Sequence, residues 1–333
     1  MLKKASLSLM AVLLVSLLAG CNGIGGSVTP IELVPQRANL LVYLNLSQIV
    51  EDEDAIAGLS SELPIDAEDQ QKLDDLIELM MGLEEAVLFF DTSESESSSY
   101  GALLVKGTFV ENDLVTEIEA SAEETFTISG YKDYKLYTDS TQESALAFLG
   151  SNGFVFGEMQ AVKDVIQVKE GELSAVSGKV LDVYNDLGDD HIVKAAMLVS
   201  RGLISEGLGE TSEDFDLPFD MSAFEDIETL GVTLDENEEL TSILLQLCFT
   251  NTDSAKEAAD LVNLVTMMIG VVDIEEAADA LTAILDNLDV SRIDSCLDLS
   301  IELTEEHIGT LMQSIFMNSF MESNWSDVQL DIE

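Results

Sequence analysis

Two histidines, His191 and His307, and three cysteines, Cys21, Cys248 and Cys296, are the side chains of this 333-residue chain best suited to bond-making chemistry. Serine hydrolysis needs a histidine base oriented by a carboxylate. Each histidine follows an acidic pair, Asp189-Asp190 or Glu305-Glu306, a setting that points to a solvated polar residue rather than a triad. No G-x-S-x-G elbow, Ser/Lys hydrolase signature or phosphate-cradling glycine loop is present. Zinc would require ligands at set spacings, and neither H-E-x-x-H nor a cysteine pair supplies them. Calcium is the better ionic candidate because it takes oxygen ligands, which acidic clusters at 51–54, 186–190 and 210–216 offer. None of them matches the D-x-[DN]-x-[DN]-G loop, and charge runs are usually solvated faces. The sequence therefore assigns no catalytic residue, no metal ligand and no cofactor, and leaves the ligand-binding residues unassigned.

Charge narrows the field further. Sixty-five acidic residues against 14 basic ones give a formal net charge of -51. Nucleic-acid affinity comes mostly from Lys and Arg neutralising phosphates, so a nucleic-acid partner is excluded. Apolar residues make up 47% of the chain, enough to build a core, which separates it from acidic disordered chains. Mutual repulsion of the carboxylates weakens a compact fold unless salt or loosely held cations screen it. Such a surface suits a saline habitat, with cations as counterions, although a very acidic surface from an ordinary organism fits as well.

The first residues form a targeting segment. Lys3 and Lys4 precede an apolar run over 7–18, too short for a spanning helix, and the run closes on Leu18-Ala19-Gly20-Cys21. This resembles the bacterial lipoprotein signal. The resemblance implies cleavage after Gly20, acylation of Cys21 with fatty-acyl chains such as palmitate, and a membrane partner reached through that lipid. One chain gives only marginal binding, whereas several anchor stably. Asn22 replaces the aspartate typical of inner-membrane retention, so the expected location is the cell membrane or outer envelope, lipid-anchored and extracytoplasmic. Glycines 23, 25 and 26 with Ser27 make a flexible tether over 21–37.

Export also frames Cys248 and Cys296. Each sits opposite the stronger apolar parity of an alternating run, at 243–249 and 293–303. A disulfide between them requires neighbouring strands; two free thiols are the alternative.

The elements that would position these residues alternate between strand and helix. An apolar stretch at 38–49 with both parities filled reads as a central strand. The spacing predicts helices over 66–82, 111–122, 161–168, 176–187, 253–269 and 275–288, and a short one over 221–226. Strand patterns fall at 85–91 and 100–109, a hairpin around a Ser/Glu-rich turn, and at 125–138, 145–150 and 154–159, short strands with bends at Gly130, Gly150 and Gly153. Others fall at 193–200, 229–235 and 240–250, with a last long strand at 292–303. The expected fold class is α+β, with two related halves, 38–190 and 191–321, each a mainly antiparallel sheet packed by helices, and a polar tail at 322–333. Phe109 and Phe249 each stand where a strand turns into a helix, a weak sign of duplication. This layout, with the opening at 34–49, resembles an uncharacterised group of exported bacterial proteins with duplicated α+β halves, which implies fold and location but no activity.

Two further features invite a binding role. Tyr131, Tyr134 and Tyr137 form a local aromatic cluster, read here as packing on one sheet face. The amphipathic stretch 308–321 carries methionines that could line a groove, although core packing explains it as well. The functional expectation is a non-enzymatic, acidic envelope lipoprotein that binds or interacts with a protein or small molecule, the alternative being a solute- or cation-binding lipoprotein. Thermal stability of the chain is expected to rise from low to molar NaCl and to follow ionic strength alone. A jump on adding millimolar CaCl2 at constant ionic strength would instead mark a specific cation site.

Overall fold

The computed structural model describes residues 29–51, 82–93, 100–122, 125–200, 222–237, 240–269, 285 and 287–304. The chain divides into two compact units, Met1–Leu198 and Val199–Glu333. In both, the described residues form an antiparallel sheet with helices packed on it, which is the α+β class read from the sequence.

The first unit runs through β1 (Leu40–Asn45), α1 (Leu46–Glu51), β2 (Leu83–Asp91), β3 (Tyr100–Gly107), α2 (Glu111–Ala122), β4 (Thr127–Tyr131), β5 (Tyr134–Thr138), β6 (Ser144–Phe148) and β7 (Gly153–Glu158). It closes with α3 (Met159–Lys169), α4 (Lys179–Asp186) and β8 (Val193–Leu198), after a 3-10 turn at Pro30–Leu33 that precedes β1. Strand order is β8-β1-β2-β3-β7-β6-β5-β4, and β1 lies between β2 and β8, as its two apolar parities require.

Alternation along these strands splits the core in two. Leu41, Val87, Phe89, Leu104 and Val155 face one side, where α3 lays down Val162, Val165 and Ile166 and α4 adds Val180 and Val183. Their neighbours Ala86, Leu103, Val105, Leu146 and Phe154 face the other side, covered by Leu114 and Ile118 of α2. Helix α3 begins where Glu158 caps it, its carboxylate accepting from the backbone amides of Gln160 and Ala161 at 2.9 and 3.0 Å. Strands β3 and β7 approach so closely at Gly157 that a Cβ there would lie 2.5 Å from the Ala102 Cα. Only glycine fits that crossing.

The second unit contains β9 (Ile227–Asn237), β10 (Leu240–Phe249), α5 (Thr252–Ile269), β11 (Leu288–Ile293) and β12 (Cys296–Leu303), after a 3-10 turn at Ser222–Asp226. Its order is β11-β12-β10-β9. Leu247, Phe249 and Leu297 form a core with Ala255 and Ala258 of α5, whose small side chains let the helix lie close to the sheet.

Strand β8, read as the opening of a second half at His191, pairs with β1 and falls in the first compact unit, which ends at Leu198. The single long strand at 292–303 is a hairpin: Asp294, at φ 52°, turns the chain between β11 and β12 without a glycine to signal it. The helix read over 275–288 lies largely outside the described residues, and Leu288 itself starts β11. The helix read over 66–82 lies outside them apart from Gly82, and the polar tail at 322–333 lies outside them altogether. In each unit the strand before the helix pairs next with the last strand after it, β3 with β7 and β10 with β12.

Phe154 is fully buried and meets Phe109 edge-on at 5.2 Å. Truncating such a ring leaves a cavity that close-packed neighbours cannot fill. Phe154→Ala is expected to cost about 3–5 kcal/mol, read by urea unfolding.

Candidate binding site

Strands β10 and β12 place Cys248 directly opposite Cys296, and the two sulfurs are joined at 2.07 Å. Of the two alternatives left open by the sequence, the structure takes the disulfide. Both cysteines lie on the parity opposite Leu247, Phe249 and Leu297, away from the unit's core. His191 donates from Nε2 to the Leu187 carbonyl at 2.7 Å, beyond the last turn of α4, where a ring N–H satisfies a free helix-end carbonyl. Cys21, His307, the acidic cluster at 210–216 and the stretch 308–321 lie outside the described residues, as do 52–54. Among the described residues, no group of three or more His, Cys, Asp or Glu is placed to hold a metal ion. No helix among them is long and apolar enough to cross a membrane.

The tyrosine cluster divides between two faces. Lys132, at φ 54°, and Asp133 form a tight turn, so Tyr131 and Tyr134 become cross-strand partners beside the first core while Tyr137 enters the second. The bend read at Gly130 falls instead at Lys132 and Asp133, and Gly130 lies within β4. Each of the two later hydroxyls serves a carboxylate: Tyr134 donates to Glu170 at 2.7 Å and Tyr137 to Glu111 at 2.6 Å.

Other buried polar groups were not legible beforehand. Asp164 lies on the apolar side of α3, accepting from the Tyr100 hydroxyl at 3.0 Å and from Gln160 Nε2 at 2.6 Å. Burial, reinforced by the Asp164 carboxylate, raises the Tyr100 phenol well above its ordinary value. The Arg37 guanidinium lies 3.8 Å above the Tyr100 ring and pairs with Asp91 at 3.1 Å. Lys194 is only 2% exposed. Its ammonium sits 3.9 Å from the Tyr184 ring and 3.6 Å from Asp189, and it donates to the Gly188 carbonyl. Burial lowers its pKa, against the opposing pull of Asp189. All of these groups hold a helix or turn of the first unit to its sheet. Position alone distinguishes them from surface residues, so sequence reading had no signal for them.

An open cleft of about 190 Å³ lies in the same unit. Its apolar part comes from Pro30, Leu33, Leu104 and Leu149. Lys106 of β3 and Lys169 at the end of α3 also line it, together with the turn 150–153 between β6 and β7. Lys106 Nζ is 2.9 Å from Glu84 and 3.0 Å from Glu85, whereas Lys169 donates to the Leu149 carbonyl. Gly153 pairs with Lys106 across β7 and β3, and a Cβ on it would meet only the Val105 carbonyl oxygen, at 3.5 Å. Among the described residues no carboxylate lines the cleft itself, although Glu84 and Glu85 neutralise Lys106 beside it.

No protein-family model matches the chain, and no curated protein matches it. Among solved structures, it is similar to TP0453 in crystal form III, with a TM-score of 0.49 and 11% identity over 86% of this chain and 99% of that one. Crystal form I of TP0453 gives a TM-score of 0.46 at 11% identity, over 87% of this chain and 98% of that one. Crystal form IV gives 0.48 at 10% identity, over 86% and 97%. Likeness at this level carries no functional inference.

Two outcomes follow from the bonded geometry. The disulfide closes a span of 48 residues, so Cys248→Ser with Cys296→Ser is expected to lower stability of the second unit by about 2–4 kcal/mol, read by urea unfolding against the oxidised chain. Glu111 is held below its ordinary 4.5 by the Tyr137 hydroxyl, with burial opposing and Lys135 assisting. A carboxyl lowered by folding contributes stability that is full above that value and is lost as pH falls through the folded one. Tyr137→Phe is expected to cost about 0.5–1.5 kcal/mol at neutral pH and little in acid below the folded value, compared by urea unfolding at the two conditions.

Proposed function

We propose that this is a lipid-anchored protein of the bacterial cell envelope whose folded body acts by binding rather than by catalysis. The leader carries the reading: Lys3 and Lys4, the apolar run 7–18, and Leu18-Ala19-Gly20 immediately before Cys21. Acylation at Cys21 would hold the body at the membrane surface, with 22–29 as the tether, since Leu33 and Val34 of the stretch read over 21–37 are buried in the first core. The Cys248–Cys296 disulfide supports an extracytoplasmic setting, because such bonds persist where glutathione and thioredoxin do not reduce them.

The non-enzymatic part of the reading draws on the work the ionisable groups do. Asp164, Glu111 and Lys194 each join a helix or turn to a strand. Asp226 accepts from Ser254 at 2.5 Å and Asn251 at 3.3 Å, fastening the start of α5. Structural ion and hydrogen-bond networks of this kind stabilise a scaffold without a reacting centre. Partners meet a strongly acidic surface with cations as counterions, which favours basic or salt-screened contacts over polyanions.

Expression of the full chain in a bacterial host fed an alkyne-tagged fatty acid is expected to yield a tagged mature protein in the membrane fraction. Cys21→Ala is expected to lose the tag and remain uncleaved. An untagged wild-type chain, or a tag that survives Cys21→Ala, would overturn the anchoring.

A further inference from the structure

An edge strand exposes a row of backbone groups, and folded chains usually blunt it with charge, proline or a bulge. Strand β4 carries none of these. Among the described strands of the first unit it is outermost on its side, and Thr127-Ile-Ser-Gly-Tyr131 has no charge, no proline and no break in its register with β5. Ile128 is 62% exposed, with Thr127, Ser129 and Gly130 exposed beside it. The outer strand of the second unit, β11, carries Asp289 and Arg292 instead. We propose that β4 is a pairing edge for a second copy of this chain, the two β4 strands running antiparallel about a two-fold axis at Ser129. The proposal stands apart from the anchoring reading, because the edge belongs to the folded unit whether or not Cys21 is acylated.

Hydrogen-bond geometry sets that register. Lys132 and Asp133 make a two-residue loop, so Tyr131 and Tyr134 close it as a bonded pair. Bonded and non-bonded positions alternate along an antiparallel ladder. Thr127 and Ser129 therefore also bond to β5, while Ile128 and Gly130 turn their N–H and C=O outward. The outward row ends on both sides: the Phe126 amide donates to Glu119 at 2.7 Å, and Lys132 leaves the extended region at φ 54°. A register centred on Ile128 would set Phe126 opposite an outward group, and one centred on Gly130 would set Lys132 there. Centring on Ser129 instead pairs each Ile128 with Gly130 of the other copy. Four N–H···O bonds result, and the two-fold repeats every contact.

Side chains and charge agree with this register. A Cβ on Gly130 would meet nothing within 4 Å, so Ile128 of the second copy can lie over bare backbone. On the other face the two Ser129 side chains meet, and each Tyr131 meets Thr127 of the other copy. Neither β4 nor β5 contains a carboxylate, in a chain of net charge -51, so the joined strands set no like charges opposite one another. A basic foreign strand would find no acid along this edge. Five residues a side make a contact smaller than the ~1,600 Å² of a standard stable complex, so the pair is transient and is read by trapping.

Cysteine trapping in a bacterial host that expresses two differently tagged copies of the full chain tests the assignment. In this register the two Ser129 Cα atoms stand about 4.5 Å apart, within disulfide reach, and the two Thr127 Cα atoms about 14 Å apart. Ser129→Cys is expected to give, on mild oxidation, an adduct of twice the chain mass that carries both tags. Thr127→Cys, Ser291→Cys on β11 and the wild-type chain are expected to give none. Ile128→Pro removes an outward donor that β5 does not use, and combined with Ser129→Cys it is expected to lower the adduct about tenfold or more with an unchanged circular dichroism spectrum. No adduct, equal trapping at Thr127→Cys, or a full adduct from a folded Ile128→Pro variant would each overturn the proposal. An adduct with only one tag would give the edge to a foreign strand and overturn the second copy.

Discussion

Antiparallel strands with apolar residues on both parities cannot leave either face in water, and the architecture of the first unit follows from that constraint. Leu103 and Leu104, or Phe154 and Val155, are adjacent in sequence and buried on opposite sides of one sheet. Each face then needs its own cover, supplied by α3 and α4 on one side and α2 on the other. Among the described residues of the second unit, α5 packs on the face carrying Leu247 and Leu297, and the cysteines take the other parity.

Such double burial also explains where polar groups enter the interior. At the ends of the strands the apolar rows run out, and a side chain can reach inward while its head meets another element. Tyr100 with Asp164 marks one such border, and Lys194 with Tyr184 marks another. No buried side-chain nitrogen or oxygen lacks a hydrogen-bond partner among the described residues. A half-paired buried charge would cost far more than a surface one. Among the described residues, the part-buried Lys106, Lys169 and Lys194 each meet a carboxylate, a carbonyl or a ring.

Sequence reading succeeded where periodicity is local and strong. Helix α5 was read from 253 and begins at Thr252, and β2 with β3 was read as a hairpin across its Ser/Glu-rich turn. It failed where a turn used no glycine. Asp294 takes positive φ inside the stretch read as one strand at 292–303, and at 125–138 the bend read at Gly130 falls on Lys132, also at positive φ. The cleft was equally hidden: Pro30, Leu104, Leu149 and Lys169 are scattered over 140 positions, and only folding makes them neighbours.

Composition and local pattern were enough to determine the α+β class and the parity that sets Cys248 and Cys296 away from the core. Those properties depend on residue type and on near neighbours along the chain, which a sequence states directly. Pairing of β8 with β1, the meeting of Cys248 with Cys296 across 48 residues, and the lysine-lined cleft were decided by the tertiary structure alone. Strand order is a choice among many nearly equivalent pairings. What selects one is the burial of both sheet faces at once, a condition that no single segment can express.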